Sequence, residues 1–348
     1  MKKFLKIALI NILVLAALLA PVEALFFILL RHPAFLGSVP QAIRRCVTNV
    51  YLNQDKRKLQ FMPDCGQWDP QLGYTLKPGA CRFVNREFDT RYEVNSMGVR
   101  GSEAGLARPD IVVLGDSFAM GWGVDQDQTF SRVLEKITGK AVLNTGVASY
   151  GTAREVLMLS RANLTDCKTC IIQYCGENDF GENENYVQGG LYLETMTRKR
   201  YDQVVEQIPK INRWYPGKYL WSWIKTEIHL AGHPNILPAP EKAVDTFLKV
   251  LDSKKPYFVN SRIIVLELNE HGHDTGFIAA LGKRMAAGQG PDLLKKIMVL
   301  DCCAFLSQED FFMLDGHLNA SGHAKVARAL SRIVLNQMAS GKAGTRGT

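Results

Sequence analysis

From Asp110 onward the chain repeats one pattern, a short β-branched run followed by a longer amphipathic stretch. The runs occupy residues 111–114, 141–147, 170–174, 262–268 and 296–300, and helical periodicity falls on residues 129–137, 152–161, 277–287 and 321–335. Runs that are apolar throughout suit strands buried on both faces, and long amphipathic connections suit crossovers better than hairpins. The pattern therefore predicts an α/β fold with a parallel sheet covered by helices on both faces. In open sheets of this kind ligands bind beyond the carboxyl ends of the strands. The residues that follow each run are where chemistry is expected.

Four such places carry reactive or polar residues. Gly115-Asp116-Ser117 follows the first run, Gly146 lies at the end of the second, Gly176-Glu177-Asn178-Asp179 follows the third, and Asp315-Gly316-His317 precedes the last helix. Singly, each has an ordinary reading as a turn residue, strand terminator, loop cap or surface histidine. Together and in this order, Ser, Gly, Asn, His, they resemble the four blocks of the SGNH/GDSL hydrolase family. The resemblance covers residues 108–335 with an insertion at 180–260. It implies a three-layer α/β/α, flavodoxin-like fold. Many members carry Asp-x-x-His in the last block where this chain has Asp-x-His, so Asp301 is kept as an alternative to Asp315.

The chemistry implied is acyl transfer through a serine. A serine hydroxyl is a weak nucleophile at neutral pH, so Ser117 needs His317 to take its proton, and Asp315 would orient the imidazole and stabilise the imidazolium. The resemblance assigns the oxyanion hole to the N–H groups of Ser117 and Gly146 and to the side-chain amide of Asn178. It requires no metal or organic cofactor. The expected activity is hydrolysis of a carboxylic ester, O-acetyl or short acyl, on a small molecule or a polysaccharide. The alternatives are transfer of the acyl group to an envelope or exported polysaccharide, and a non-catalytic polysaccharide-binding module.

Ahead of this domain, 21 of the 24 residues 7–30 are apolar, the exceptions being Asn11, Pro21 and Glu23. At about 1.5 Å per residue the segment reaches roughly 36 Å, enough to cross a hydrocarbon core of about 30 Å. Lys2, Lys3 and Lys6 precede it, which favours residues 1–6 in the cytoplasm and the rest outside. The competing reading is a secretory signal cut after Val22-Glu23-Ala24. Either way the catalytic domain is expected outside the cytoplasm, periplasmic or extracellular. Residues 31–107, punctuated by Pro and Gly and without a long helical period, read as an extension with extended pieces at 72–79 and 92–101. Residues 336–348 read as a flexible tail.

The net charge of +8 comes from the two ends, because three bases precede residue 7, five follow residue 323, and the remaining 34 are matched by 34 acids. A nucleic-acid-binding face would carry its excess inside the folded domain, so that function is excluded. Of the eight cysteines, Cys65 and Cys81 are the expected disulfide, while Cys302-Cys303 is too close in sequence to close without strain. Cys167-Lys168-Thr169-Cys170 lacks a second ligand pair for zinc, and His229 with His233 lacks the glutamate of a metalloprotease helix. His271 or His273 is a candidate substrate contact, and His323 reads as a helix residue. Gly121-Trp122-Gly123 is not a dinucleotide fingerprint. The aromatics at 214–223 are read as the core of a small helical insertion or as membrane-facing, ahead of a role in binding sugar or acyl groups.

Overall fold

The computed structural model describes residues 2–232, 238–288 and 290–344. The chain opens with a 30-residue helix, α1 (Lys2–Arg31), whose side chains remain exposed as far as Pro21 where they are described. Its last turns are buried instead: Phe26, Leu29 and Leu30 pack with Leu36, Val47, Val50, Tyr51, Tyr219 and Leu314. The extension contains a helix that the Pro/Gly punctuation obscured, α2 (Gln41–Val50). Ile43, Cys46, Val47 and Val50 line one of its faces, and their packing against that cluster is what holds so short a helix. Two antiparallel hairpins follow, β1 (Gly66–Asp69) with β2 (Gly73–Leu76) and β3 (Gly79–Val84) with β4 (Asp89–Val94). Cys65 and Cys81 are bonded to each other and lie in a cluster with Leu76, Phe83, Tyr92, Met120 and Trp122.

The main domain is a three-layer α/β/α sandwich. Its five strands, β5 (Ile111–Leu114), β6 (Val142–Asn144), β7 (Thr169–Tyr174), β8 (Arg262–Glu267) and β9 (Ile297–Leu300), are all parallel and ordered β6-β5-β7-β8-β9. Every expected strand is present, with ends shifted by a few residues. Side chains alternate across the sheet as a two-residue period requires. Ile111 and Val113 meet Phe130 and Leu134 of α4 (Phe130–Thr138) and Val326 and Leu330 of the last helix, whereas Val112 and Leu114 face the opposite layer. Between β5 and α4 lies the one-turn helix α3 (Ser117–Met120), which begins at Ser117.

The opposite layer is built from α5 (Thr152–Met158), α6 (Gly176–Gln188), a helix between β7 and β8, and one after β8. The segment expected as an insertion at 180–260 divides accordingly. Its first part completes α6, then come α7 (Arg198–Asn212) and α8 (Lys218–Gly232), then α9 (Pro240–Ser253). Ala243, Val244, Phe247, Val250 and Leu251 of α9 are buried against the sheet, so α6 and α9 are crossover helices and the added part narrows to the segment between them. α10 (Phe277–Ala286) and α11 (Ala320–Gly344) close the fold. α11 continues through residues 336–344, so most of the expected flexible tail is helical. Three of the four blocks fall at the ends of the neighbouring strands β6, β5 and β7, the point where the connections turn to opposite sides, which is where open sheets of this kind bind ligands.

Candidate active site

The turn that carries Ser117 is specified locally. Gly115 leaves β5 with φ +154°, and a Cβ there would fall 2.5 Å from both Ala119 Cβ and Gln173 Oε1, so no side chain fits. Asp116 caps α3 by accepting from the Phe118 N–H at 2.9 Å. Gln173 of β7 accepts from the N–H groups of Asp116 and Ala119, tying the turn to the neighbouring strand. From the other side Arg100, a fully buried residue, donates to the carbonyls of Gly121 and Val124 at 2.6 and 2.7 Å. Burial lowers its pKa, yet guanidinium remains charged at any working pH.

Ser117, His317 and Asp315 form a continuous line. Ser117 Oγ is 2.7 Å from His317 Nε2, and His317 Nδ1 is 2.6 Å from Asp315 Oδ1. The Asp-x-His spacing works because Gly316 is left-handed, φ +76°, and a Cβ there would press within 3.0 Å of Glu270 Cβ. Asp301, the alternative acid, is exposed and caps its own loop by accepting from the Cys303 N–H. Phe118 and Trp122 stack on the imidazole at centroid distances of 4.5 and 5.2 Å.

Three residues of the extension, none of them expected, hold the acid. Tyr51 donates to Asp315 Oδ2 at 2.6 Å, and Lys56 Nζ lies 3.4 Å from Asp315 Oδ1 and 3.3 Å from Glu270. Glu87 accepts from the N–H groups of Met313, Leu314 and Asp315 at 2.7, 2.9 and 2.8 Å, which fixes the loop that carries the acid. Burial alone would raise the Asp315 pKa. The Lys56 charge, the His317 ring and the Tyr51 hydroxyl reverse this and hold the carboxyl well below the usual carboxylate range. Burial and the neighbouring Asp315 charge push the Tyr51 phenol up, so it remains a donor.

The expected oxyanion donors fare differently. At the start of α3 the Ser117 N–H has no acceptor among the described residues, as the first turn of a helix leaves it. Asn178 Nδ2 donates one proton to Asp116 Oδ2, and an amide nitrogen carries a second. Gly146 departs from the expectation. Its N–H donates to Asn144 Oδ1 at 2.9 Å, and Asn144 is held in turn by the Ala119 carbonyl and the Ser131 hydroxyl. Glycine is required there for a different reason: a Cβ would lie 2.5 Å from the Met120 nitrogen, at the end of the short helix that Ser117 begins.

Among the histidines, His271 sits beside the triad, donating its N–H to the Gly316 carbonyl, and burial lowers its pKa. His271 and His273 both line a small neighbouring cavity of about 80 Å³ with Glu267, Cys302, Cys303 and Phe311. His323 is a core residue of α11: its Nδ1 accepts from the Phe130 N–H, and burial drives its pKa down to about 3. His233 lies outside the described residues. Cys167 and Cys170 are buried with their sulfurs 4.0 Å apart and unbonded.

No protein-family model matches the chain, and no curated protein does. Solved structures similar to it include a lipolytic protein of the G-D-S-L family from Desulfitobacterium hafniense, at 14% identity over 64% of this chain and 98% of the other, TM-score 0.38. A family two carbohydrate esterase from Clostridium thermocellum, in complex with cellohexaose, is 11% identical over 67% of this chain and 65% of its own, TM-score 0.41. An acetyl xylan esterase from Butyrivibrio proteoclasticus is 11% identical over the same shares, TM-score 0.38. At that distance the chemistry has to be argued from Ser117, His317, Asp315 and Asn178 themselves.

Proposed function

We propose that the protein is a serine ester hydrolase of the SGNH/GDSL kind, acting on short acyl esters outside the cytoplasm. The observation that carries this reading is the Ser117–His317–Asp315 line, at 2.7 and 2.6 Å, beyond the carboxyl end of β5. His317 Nε2 takes the Ser117 proton as Oγ attacks the ester carbonyl carbon. The resulting oxyanion is received by the Ser117 N–H and the second amide proton of Asn178. His317 then returns the proton to the departing alkoxide, leaving an acyl-Ser117. In the second half a water gives its proton to His317 and attacks the acyl carbon, releasing the acid and restoring the serine. Asp315, kept ionised by its neighbours, steadies the imidazolium in both halves.

A contact of Glu23 supports retention of α1 as a membrane anchor, and a disulfide supports export of the domain whether or not α1 is kept. Glu23 accepts from the Tyr219 and Leu220 N–H groups at the start of α8, so cleavage after Ala24 would remove a cap from the folded domain. The Cys65–Cys81 bond suits an oxidising compartment. Hydrolysis of a chromogenic acetate by the full-length chain, measured beside fluorophosphonate labelling, tests the function. Ser117→Ala should abolish both while leaving the thermal midpoint within a few degrees. Unchanged hydrolysis by that variant would refute the mechanism. Added sugar acceptors that divert the acyl group from water would identify a transferase.

A further inference from the structure

The first helix and α8 meet at one level, and exposed aromatics gather there. α1 is apolar and exposed up to Pro21, then docks. A hydrocarbon core of about 30 Å takes roughly 20 residues of helix at 1.5 Å each. Counted from Lys2 the outer boundary falls at Pro21, and counted from Ile7, past the last lysine, it falls at Phe26. Glu23, between those limits, accepts from the Leu220 N–H at 2.9 Å, which places Trp221 at the boundary. Phe27 lies one residue beyond, and its ring meets that of Trp214 edge-on at 6.3 Å.

Trp221 is nevertheless 54% exposed, Trp214 50% and Tyr215 48%. Other aromatics of the same stretch are used internally: Tyr219 is buried and Trp223 packs on Phe26. Lys225 lies above the exposed Trp221 ring at 5.9 Å and Arg31 above the half-buried Phe27 ring, which meets Trp214, at 4.3 Å, so cations lie beside the patch. Tryptophan and tyrosine with flanking Lys and Arg are the side chains that settle in the headgroup layer, where one end of the ring is apolar and the other wet.

We propose that Trp214, Tyr215 and Trp221 form a second contact with the lipid bilayer, resting on the reading of α1 as an anchor, so that the domain lies on the membrane surface instead of hanging from a tether. Leu314, the residue before Asp315, packs in the same cluster as Leu30 and Tyr51, which keeps the acid's loop close to that surface.

The test uses the full-length chain reconstituted into phosphatidylcholine vesicles with and without bromine on the acyl chains near the headgroup. The chain should float with the vesicles, and its tryptophan emission should fall with the brominated lipid. Trp214→Phe/Trp221→Phe, which keeps apolar rings in place, should float equally and lose more than half of that fall. Flotation without quenching, or quenching undiminished in the double variant, overturns the proposal alone. Unquenched emission from a chain whose mass in nanodiscs is that of a dimer would overturn the proposal and assign the patch to a second copy. Failure to float refutes the anchor and this contact together.

Discussion

Replacing Tyr51 by Phe removes a single oxygen from the support of Asp315. That hydroxyl donates to Oδ2 at 2.6 Å, and a buried hydrogen bond to a charged group contributes about 1.5–3 kcal/mol net. The ring remains, so the cluster of Leu30, Val47 and Leu314 keeps its volume. Asp315 also retains His317 and Lys56, so no buried charge is stranded and the loss should lie at the low end of that range. The consequence for activity follows from charge. A carboxylate relieved of one donor carries more uncompensated negative charge and holds a proton on His317 more firmly. The base must be unprotonated to act, so the acid limb of kcat/KM moves to higher pH. If about a third to a half of the lost interaction, taken as about 1.5 kcal/mol, reaches the imidazole, at 1.36 kcal/mol per pH unit the movement is about half a unit.

The assay is hydrolysis of a chromogenic acetate by the Tyr51→Phe and unaltered chains from about pH 5 to 8, the range over which histidine changes charge. A limb that stays in place, or moves to lower pH, refutes the argument that Tyr51 acts through Asp315. The sign for stability is the opposite one. Asp315 is held below its ordinary pKa in the fold, so its contribution is present at neutral pH and is lost as the solution is acidified below about pH 4. The thermal midpoints of the two chains should therefore converge on acidification.

Three further outcomes are expected. Asn178→Ala removes an oxyanion donor and should lower kcat by about 10²–10³ with little change in KM; a drop confined to KM would assign Asn178 to substrate binding. Glu87→Ala leaves the N–H groups of Met313, Leu314 and Asp315 without their acceptor. It should cost about 2–3 kcal/mol in a denaturant titration, because water reaches this half-buried side chain and replaces part of what is lost; an unchanged midpoint would deny Glu87 its role. Reducing Cys65–Cys81, 16 residues apart, should cost about 3 kcal/mol by loop entropy, and activity should fall with it because the bonded pair shares a cluster with Trp122. Retention of full activity and stability after reduction would contradict that coupling.

Much of the α/β domain was legible in one dimension because its signals are local. A β-branched run, a 3.6-residue period or a Gly-Asp-Ser turn is written in adjacent residues, and a parallel sheet places the ends of its strands on one side. The strands and their ends followed from that, whereas Ser117, Asn178 and His317 were singled out by the resemblance of their order to the SGNH/GDSL blocks. α2 was missed although Ile43, Cys46, Val47 and Val50 carry a helical spacing, because ten residues among prolines and glycines make a weak pattern whose packing partners lie on α1 and α8.

What only the tertiary structure decided is the electrostatic setting of the triad. Tyr51 and Asp315 are 264 residues apart, and Glu87 is 228 residues from the N–H of Asp315 that it accepts. No periodicity or spacing marks a contact made across such a distance, since it depends on the extension folding back over the last loop. Asp301 and Asp315 look alike as residues, and packing alone placed one in solvent and the other beside His317. Gly146 carried a correct residue type for a different reason, close approach to the Met120 nitrogen. Its N–H was committed to Asn144 by a loop hydrogen bond whose geometry exists only once the chain has folded.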